Sequence, residues 1–243
     1  MRDSPWYGAI PTLSAAAAAT ERIRLGTLVA SPNFRHPVPF AKELVTLDDI
    51  SGGRFTLGIG AGGPGWDATM LGGTAWSRRE RADRFAEFVE LTDLLLREPA
   101  ASYRGRYYSA EEARTYPGCV QEPRIPFAVA ATGPRGMRVA ARFAQTWVTT
   151  GERRVDAPLG AADGANVVRA QMDRLDEPCA EVGRDPGSLG RLVLDSGLAS
   201  VESFRDTVGH YAEIGVTDFV VHWPRPTEPF AADMATVERI LSS

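Results

Sequence analysis

The chain has 243 residues, 44% hydrophobic and 24% charged, with a net charge of −4 and a pI near 5.5. This length and apolar content suit one α/β barrel domain over residues 1–243, and the dispersed basic residues give no footprint for nucleic acid. Cys119 and Cys179 lie far apart without a CxxC, so neither a disulfide framework nor a metal site is expected. The N-terminus lacks a secretory pattern and no segment reaches the roughly 18 apolar residues of a membrane span, so a soluble cytoplasmic protein is expected.

In chain order, the first predicted element is a helix near Pro5 to Ala19. Ile23 to Ala30 is an apolar, β-branched run ended by Ser31-Pro32, and Phe55 to Ile59 is another, launched from the turn Ser51-Gly52-Gly53. Both read as buried parallel strands. Between them His36 to Ile50 carries Phe40, Leu44 and Leu47 at the spacing of one helical face. Arg79 to Arg97 predicts an amphipathic helix with Phe85, Phe88, Leu91 and Leu95 inward and many solvated charges, stopped at Pro99. Strand Ile125 to Ala131, helix Gly136 to Gln145, strand Thr146 to Thr150 and helix Gly164 to Val182 follow. Strand Arg191 to Leu194, helix Val201 to Ile214, strand Asp218 to His222 and helix Ala231 to Leu241 complete the chain. Six strand–helix units after one leading helix predict a parallel α/β fold, with short turns favouring a barrel over an open sheet. The irregular segments Gly62 to Ser77 and Gly151 to Gly164 would be pocket loops.

Two glycine-rich elements carry candidate chemistry. Gly58-Ile-Gly60-Ala-Gly62-Gly63-Pro64-Gly65 follows a strand, but a dinucleotide-binding turn needs a helix opening at its last glycines, and here the next helix waits until about Arg79. Absence of Gly-Lys-Ser/Thr removes the nucleotide triphosphate loop. Two readings stay open: glycines that let a flat ring approach the backbone, or an ordinary Gly-rich turn. Ala130-Ala131-Thr132-Gly133-Pro134-Arg135-Gly136 ends a strand and opens a helix. Its first-turn N–H groups suit an anion, with Arg135 adding charge; the plainer alternative is a helix start without ligand.

Several linked motifs resemble a known family. TERIRLGTLV, the Arg35-His36-Pro37 step, LDDISGGRFTLGIGAG, the helix Arg81 to Leu96 followed by Gly105-Arg-Tyr-Tyr108, and IPFAVAATGP followed by AARFAQTWVTTG are similar to the luciferase-like monooxygenases. Within that superfamily they are most similar to the enzymes using the deazaflavin coenzyme F420. The resemblance covers roughly residues 5 to 151. It implies a (β/α)8 TIM-barrel type fold, incomplete here with about six βα units plus one N-terminal helix, because family members usually begin with a strand, a helix and a second strand. It also implies a bulge with a non-prolyl cis peptide at Leu28-Val29 against the ring. Ring and tail contacts would come from Gly60, Ala61 and Gly62, from Ala131, Thr132, Gly133 and Pro134, and from Thr149, the last two groups on the ribityl-phosphate side.

The implied function is hydride transfer between F420 and a small organic substrate, in a homodimer. Alternatives are a reduced-FMN monooxygenase and a non-catalytic truncated barrel. His222, at the end of the last strand, is the candidate proton donor, weighed against a histidine bonded within the pocket wall. His36 is expected to orient a βα loop and His210 to lie on the surface. Trp66 and Asp67 suit either substrate contact or loop anchoring, while Trp147 and Trp223 are expected in the core.

Overall fold

The computed structural model describes residues 6–151, 159–195, 200–224 and 233–242, and it divides into two units, Met1–Gln145 and Thr146–Ser243. In the first, helix α1 (Ala9–Ala19) leads into strand β1 (Leu25–Gly26). The join is fixed by Arg54, whose guanidinium donates to the carbonyls of Ala17 at 2.9 Å and Thr20 at 2.8 Å, a cation placed where the last helical carbonyls are unpaired. Helix α2 (Pro37–Ser51) starts at His36, whose Nδ1 accepts from the Val38 N–H, and closes at Gly52, left-handed at φ 59°.

The LDDISGG motif has a structural account. Asp48 is fully buried, and its carboxylate accepts from the Val120 and Gln121 N–H groups and from the Gln121 side-chain amide, so it anchors a distant loop to α2. Strand β2 (Phe55–Gly60) then runs parallel to β1, pairing Leu25 with Phe55. Helix α3 (Arg78–Arg97) begins with a Ser77–Glu80 capping box. Its residues Phe85, Phe88, Leu91 and Leu95 are all buried, as are Phe40, Leu44 and Leu47 of α2. These are the two faces expected from periodicity, and they meet where the Phe40 and Phe88 rings lie 6.0 Å apart.

A hairpin of β3 (Ala100–Arg104) and β4 (Ser109–Arg114), which the sequence pattern does not predict, follows α3. Its polar strands carry no apolar alternation. Glu87 of α3 holds its loop instead, accepting from the N–H groups of Arg106, Tyr107 and Tyr108 at 3.0, 2.8 and 2.6 Å. Strand β5 (Phe127–Ala130) pairs parallel with β2, setting Gly60 opposite Ala130, and helix α4 (Pro134–Phe143) follows.

In the second unit, β6 (Thr146–Thr149), β7 (Gly190–Asp195) and β8 (Asp218–Val221) form parallel pairs in that order. Helices α5 (Ala161–Asp173), α6 (Asp176–Glu181), α7 (Val201–Glu213) and α8 (Met234–Leu241) connect and close them. The expected helix Gly164 to Val182 is thus two helices. Pro178 has no N–H to offer the carbonyl of Arg174, and the chain turns at Arg174–Leu175. Residues 152–158 of the expected Gly151 to Gly164 loop lie outside the described residues, as do 231 and 232 at the start of the expected last helix. The six strand–helix units of the expected incomplete barrel are all present, three parallel strands in each unit. Among the described residues no helix is long and apolar enough to cross a membrane.

Candidate functional site

The strand expected over Ile23 to Ala30 leaves the ladder after Gly26 and rejoins it at Ala30, which pairs with Ile59. In the gap the Leu28–Val29 peptide is cis. Thr27 secures the excursion: its hydroxyl donates to the Gly58 carbonyl at 2.6 Å, while the Ala30 N–H donates to the same oxygen at 2.8 Å. The glycines of β2 make room for it. A Cβ at Gly58 would overlap the Thr27 carbonyl oxygen, and one at Gly60 would stand 2.8 Å from Val29 Cγ2.

Gly62 has φ 75°, and a Cβ there would lie 2.8 Å from Asn33 Nδ2. Asn33 is itself held on both sides. Its amide donates to Asp67 at 3.1 Å, and its oxygen accepts from Arg84 Nη2 at 2.7 Å. The glycine turn after β2 is therefore backed by a chain of side chains reaching from the following loop to α3.

In front of these strand ends opens a cleft of about 850 Å³, lined by Val29, Gly60 to Gly63, the 130–136 segment and one face of α3 including Arg78, Arg79, Arg81 and Phe85. Its size is that of a site for a cofactor-sized molecule. Gly133 stands ahead of Pro134 at the start of α4, and a Cβ on Gly133 would meet nothing nearer than Arg78 Nη2 at 3.9 Å. The space before this helix terminus is thus open, and its free N–H groups face a cationic wall. Asp83 pairs with Arg135 at 3.1 Å and with Arg79 at 3.8 Å. Arg81 lines the cleft, and its Nε is buried with no hydrogen-bond partner among the described residues.

Of the residues expected to bind a cofactor, Val29, Gly60, Ala61, Gly62, Ala131, Thr132, Gly133 and Pro134 line this one cleft. Leu28 faces a different, smaller cavity beside Trp6 and Thr12. Thr149 lies in the second unit, where its buried hydroxyl donates to Gln171 Oε1 at 2.5 Å. His222, also in the second unit, is half-buried just after β8. His36 has the expected structural role, capping α2 and setting its ring edge-on to Tyr108 at 5.4 Å. Burial pushes the Tyr108 phenol up to about 12, so it stays neutral near pH 7.

His210 is half-buried on α7, and its pKa is raised by a hydrogen bond to the Asp206 carbonyl. Trp147 is fully buried as expected, whereas Trp223 is 65% exposed and is not a core residue. Trp223 lies beyond the last paired residue of β8, where no strand register turns it inward. The α3 arginines were missed because charges on an amphipathic helix read as solvated. A signal existed: cations at 78, 79 and 81 crowd the first turn of a helix, where the macrodipole disfavours them.

The family profile described as luciferase-like monooxygenase matches residues 2–207. An uncharacterized Mycobacterium tuberculosis protein is 32% identical over 237 residues, 97% of this chain and 74% of its own length. The F420-dependent glucose-6-phosphate dehydrogenase of Beutenbergia cavernae is 38% identical over 144 residues, 58% of this chain, and the match spans 42% of that enzyme. Among solved structures, an F420-dependent secondary alcohol dehydrogenase in complex with an F420-acetone adduct superposes with a TM-score of 0.77 at 17% identity, covering 90% of this chain and 79% of that one. The shared fold is that of the TIM-barrel-type F420 enzymes, with the barrel incomplete over the present chain.

Proposed function

The chain belongs to the luciferase-like monooxygenase family, and on that premise we propose that it is an F420-dependent oxidoreductase transferring hydride between the coenzyme and a small organic substrate. The observation that carries this reading is the convergence of Val29, Gly60 to Gly62 and Ala131 to Pro134 on one cleft. The F420-dependent enzymes among its relatives support the choice of coenzyme.

The residues present suit such a group. Glycines at 60 and 62 keep the strand end flat, Val29 offers an apolar contact beside them, and the α4 terminus offers N–H donors. When bound, the deazaflavin supplies the hydride chemistry. The chain's own work is to bind and orient the coenzyme and to exclude water along Val29 and Phe85. We assign His222 as proton donor to the substrate, Thr149 as a further coenzyme contact, Leu28 as one only through the peptide it shares with Val29, and the whole chain to one barrel domain. A cytoplasmic homodimer completes the reading.

Titration followed by tryptophan fluorescence tests it. Saturable quenching by F420 at micromolar concentration is the expected result. Saturation by FMN with none by F420 would replace the reading with a reduced-flavin monooxygenase, and binding of neither would leave a non-catalytic barrel.

A further inference from the structure

We propose that Arg78 and Arg81 of α3 form an anion clamp across the cleft from the α4 terminus, taking the phosphodiester of the coenzyme side chain, with Arg79 and Arg135 at the mouth placed for the carboxylates of its tail. This rests on the coenzyme reading above and adds to it the side chains that select for the charged part of the molecule.

The placement argues for a ligand rather than for stability. Arg78 and Arg81 lie three residues apart on one face of α3, and both line the cleft with Gly133 and Pro134. Arg78 Nη2 comes within 3.9 Å of the position a Gly133 Cβ would take, so the guanidinium and the helix terminus face one open space. Arg81 Nε is buried without a hydrogen-bond partner. The sole acid paired with this wall among the described residues is Asp83, which is shared by Arg79 and Arg135. The cations at 78, 79 and 81 outnumber Glu80 in the first turn of α3 and work against the helix dipole, and an anion between Arg78, Arg81 and α4 would offset that cost. Guanidinium groups suit a phosphodiester because their parallel N–H donors match its two free oxygens.

The test compares three ligands on the intact chain by fluorescence titration: F420 with a long glutamate tail, F420 with a short one, and the deazaflavin headgroup lacking phosphate and tail. Arg78→Ala and Arg81→Ala are each expected to weaken F420 about tenfold, as loss of one charged hydrogen bond implies, while leaving headgroup affinity unchanged. Arg79→Ala should narrow the difference between long and short tails, and added salt should weaken F420 but not the headgroup. Unchanged headgroup binding also shows that the variants fold. Equal affinity for F420 and headgroup in the parent chain, or equal loss of both in the Arg78 and Arg81 variants, overturns the clamp and leaves the coenzyme reading standing. Failure of every deazaflavin to bind overturns both.

Discussion

The Thr27 hydroxyl donates to the Gly58 carbonyl at 2.6 Å, and the Thr27 carbonyl occupies the position a side chain on Gly58 would need. Each residue is the condition for the other: the missing Cβ admits the Thr27 backbone, and the hydroxyl fastens the excursion that carries Leu28 and Val29 out of the ladder. Gly58→Ala must move backbone on one strand or the other. It is expected to cost about 3 kcal/mol or more in chemical denaturation, beyond the usual range for overpacking by one methyl. Gly63→Ala, whose Cβ would meet only Gly65 N at 3.8 Å, should leave stability within about 0.5 kcal/mol of the parent. Comparable losses for the two variants would contradict this account.

Gly133 separates fold from cleft in the opposite sense. Beyond its chain neighbours, the nearest atom to a Cβ built there is Arg78 Nη2 at 3.9 Å, so Gly133→Val should fold with a melting temperature near that of the parent. Its side chain would stand in the cleft before α4. Coenzyme affinity is therefore expected to fall about tenfold or more, equivalent to about 1.4 kcal/mol, measured by the same titration. Unchanged affinity would place the ligand elsewhere.

Much of this was legible in the sequence, and what was not has physical reasons. The buried faces of α2 and α3 follow directly from the spacing of Phe40, Leu44 and Leu47 and of Phe85, Phe88, Leu91 and Leu95. The bulge and cis peptide at Leu28-Val29 were legible through the family resemblance, but the end of the β1 ladder at Gly26 was not, because Gly58 looks the same in a plain glycine turn and in a strand yielding to Thr27. The hairpin was hidden because its fold depends on Glu87, a side chain outside both strands. Arg78 and Arg81 escaped notice because their meaning depends on what faces them, the α4 terminus more than fifty residues later.

Glu87 itself gives a stability prediction. Its carboxylate satisfies three consecutive N–H groups of the 105–108 loop, so Glu87→Ala leaves them to water or unpaired. The expected loss is about 2 kcal/mol, with Glu87→Gln costing less because one oxygen remains. Hydrogen exchange should show faster exchange at Arg106, Tyr107 and Tyr108 in the alanine variant. Exchange unchanged at those amides would mean that Glu87 does not hold the loop.

The same helix should respond to acid at its first turn. The Ser77 hydroxyl, donating to Glu80 Oε2 at 2.6 Å, and then the Ser77 N–H, at 3.1 Å, hold the Glu80 carboxyl below its ordinary value. A depressed acid binds its proton less readily in the folded chain than in the unfolded one. Its contribution is therefore complete above the ordinary glutamate pKa and is lost as pH falls through the folded value. Comparing the parent with Glu80→Ala by thermal melting, the gap in melting temperature should be widest near about pH 7 and should close on acidification below about pH 4. Because the capped turn carries Arg78 and Arg81, Glu80→Ala should also weaken F420 near neutrality more than it weakens the headgroup. A melting gap that is constant with pH would show that the carboxylate is not what caps α3.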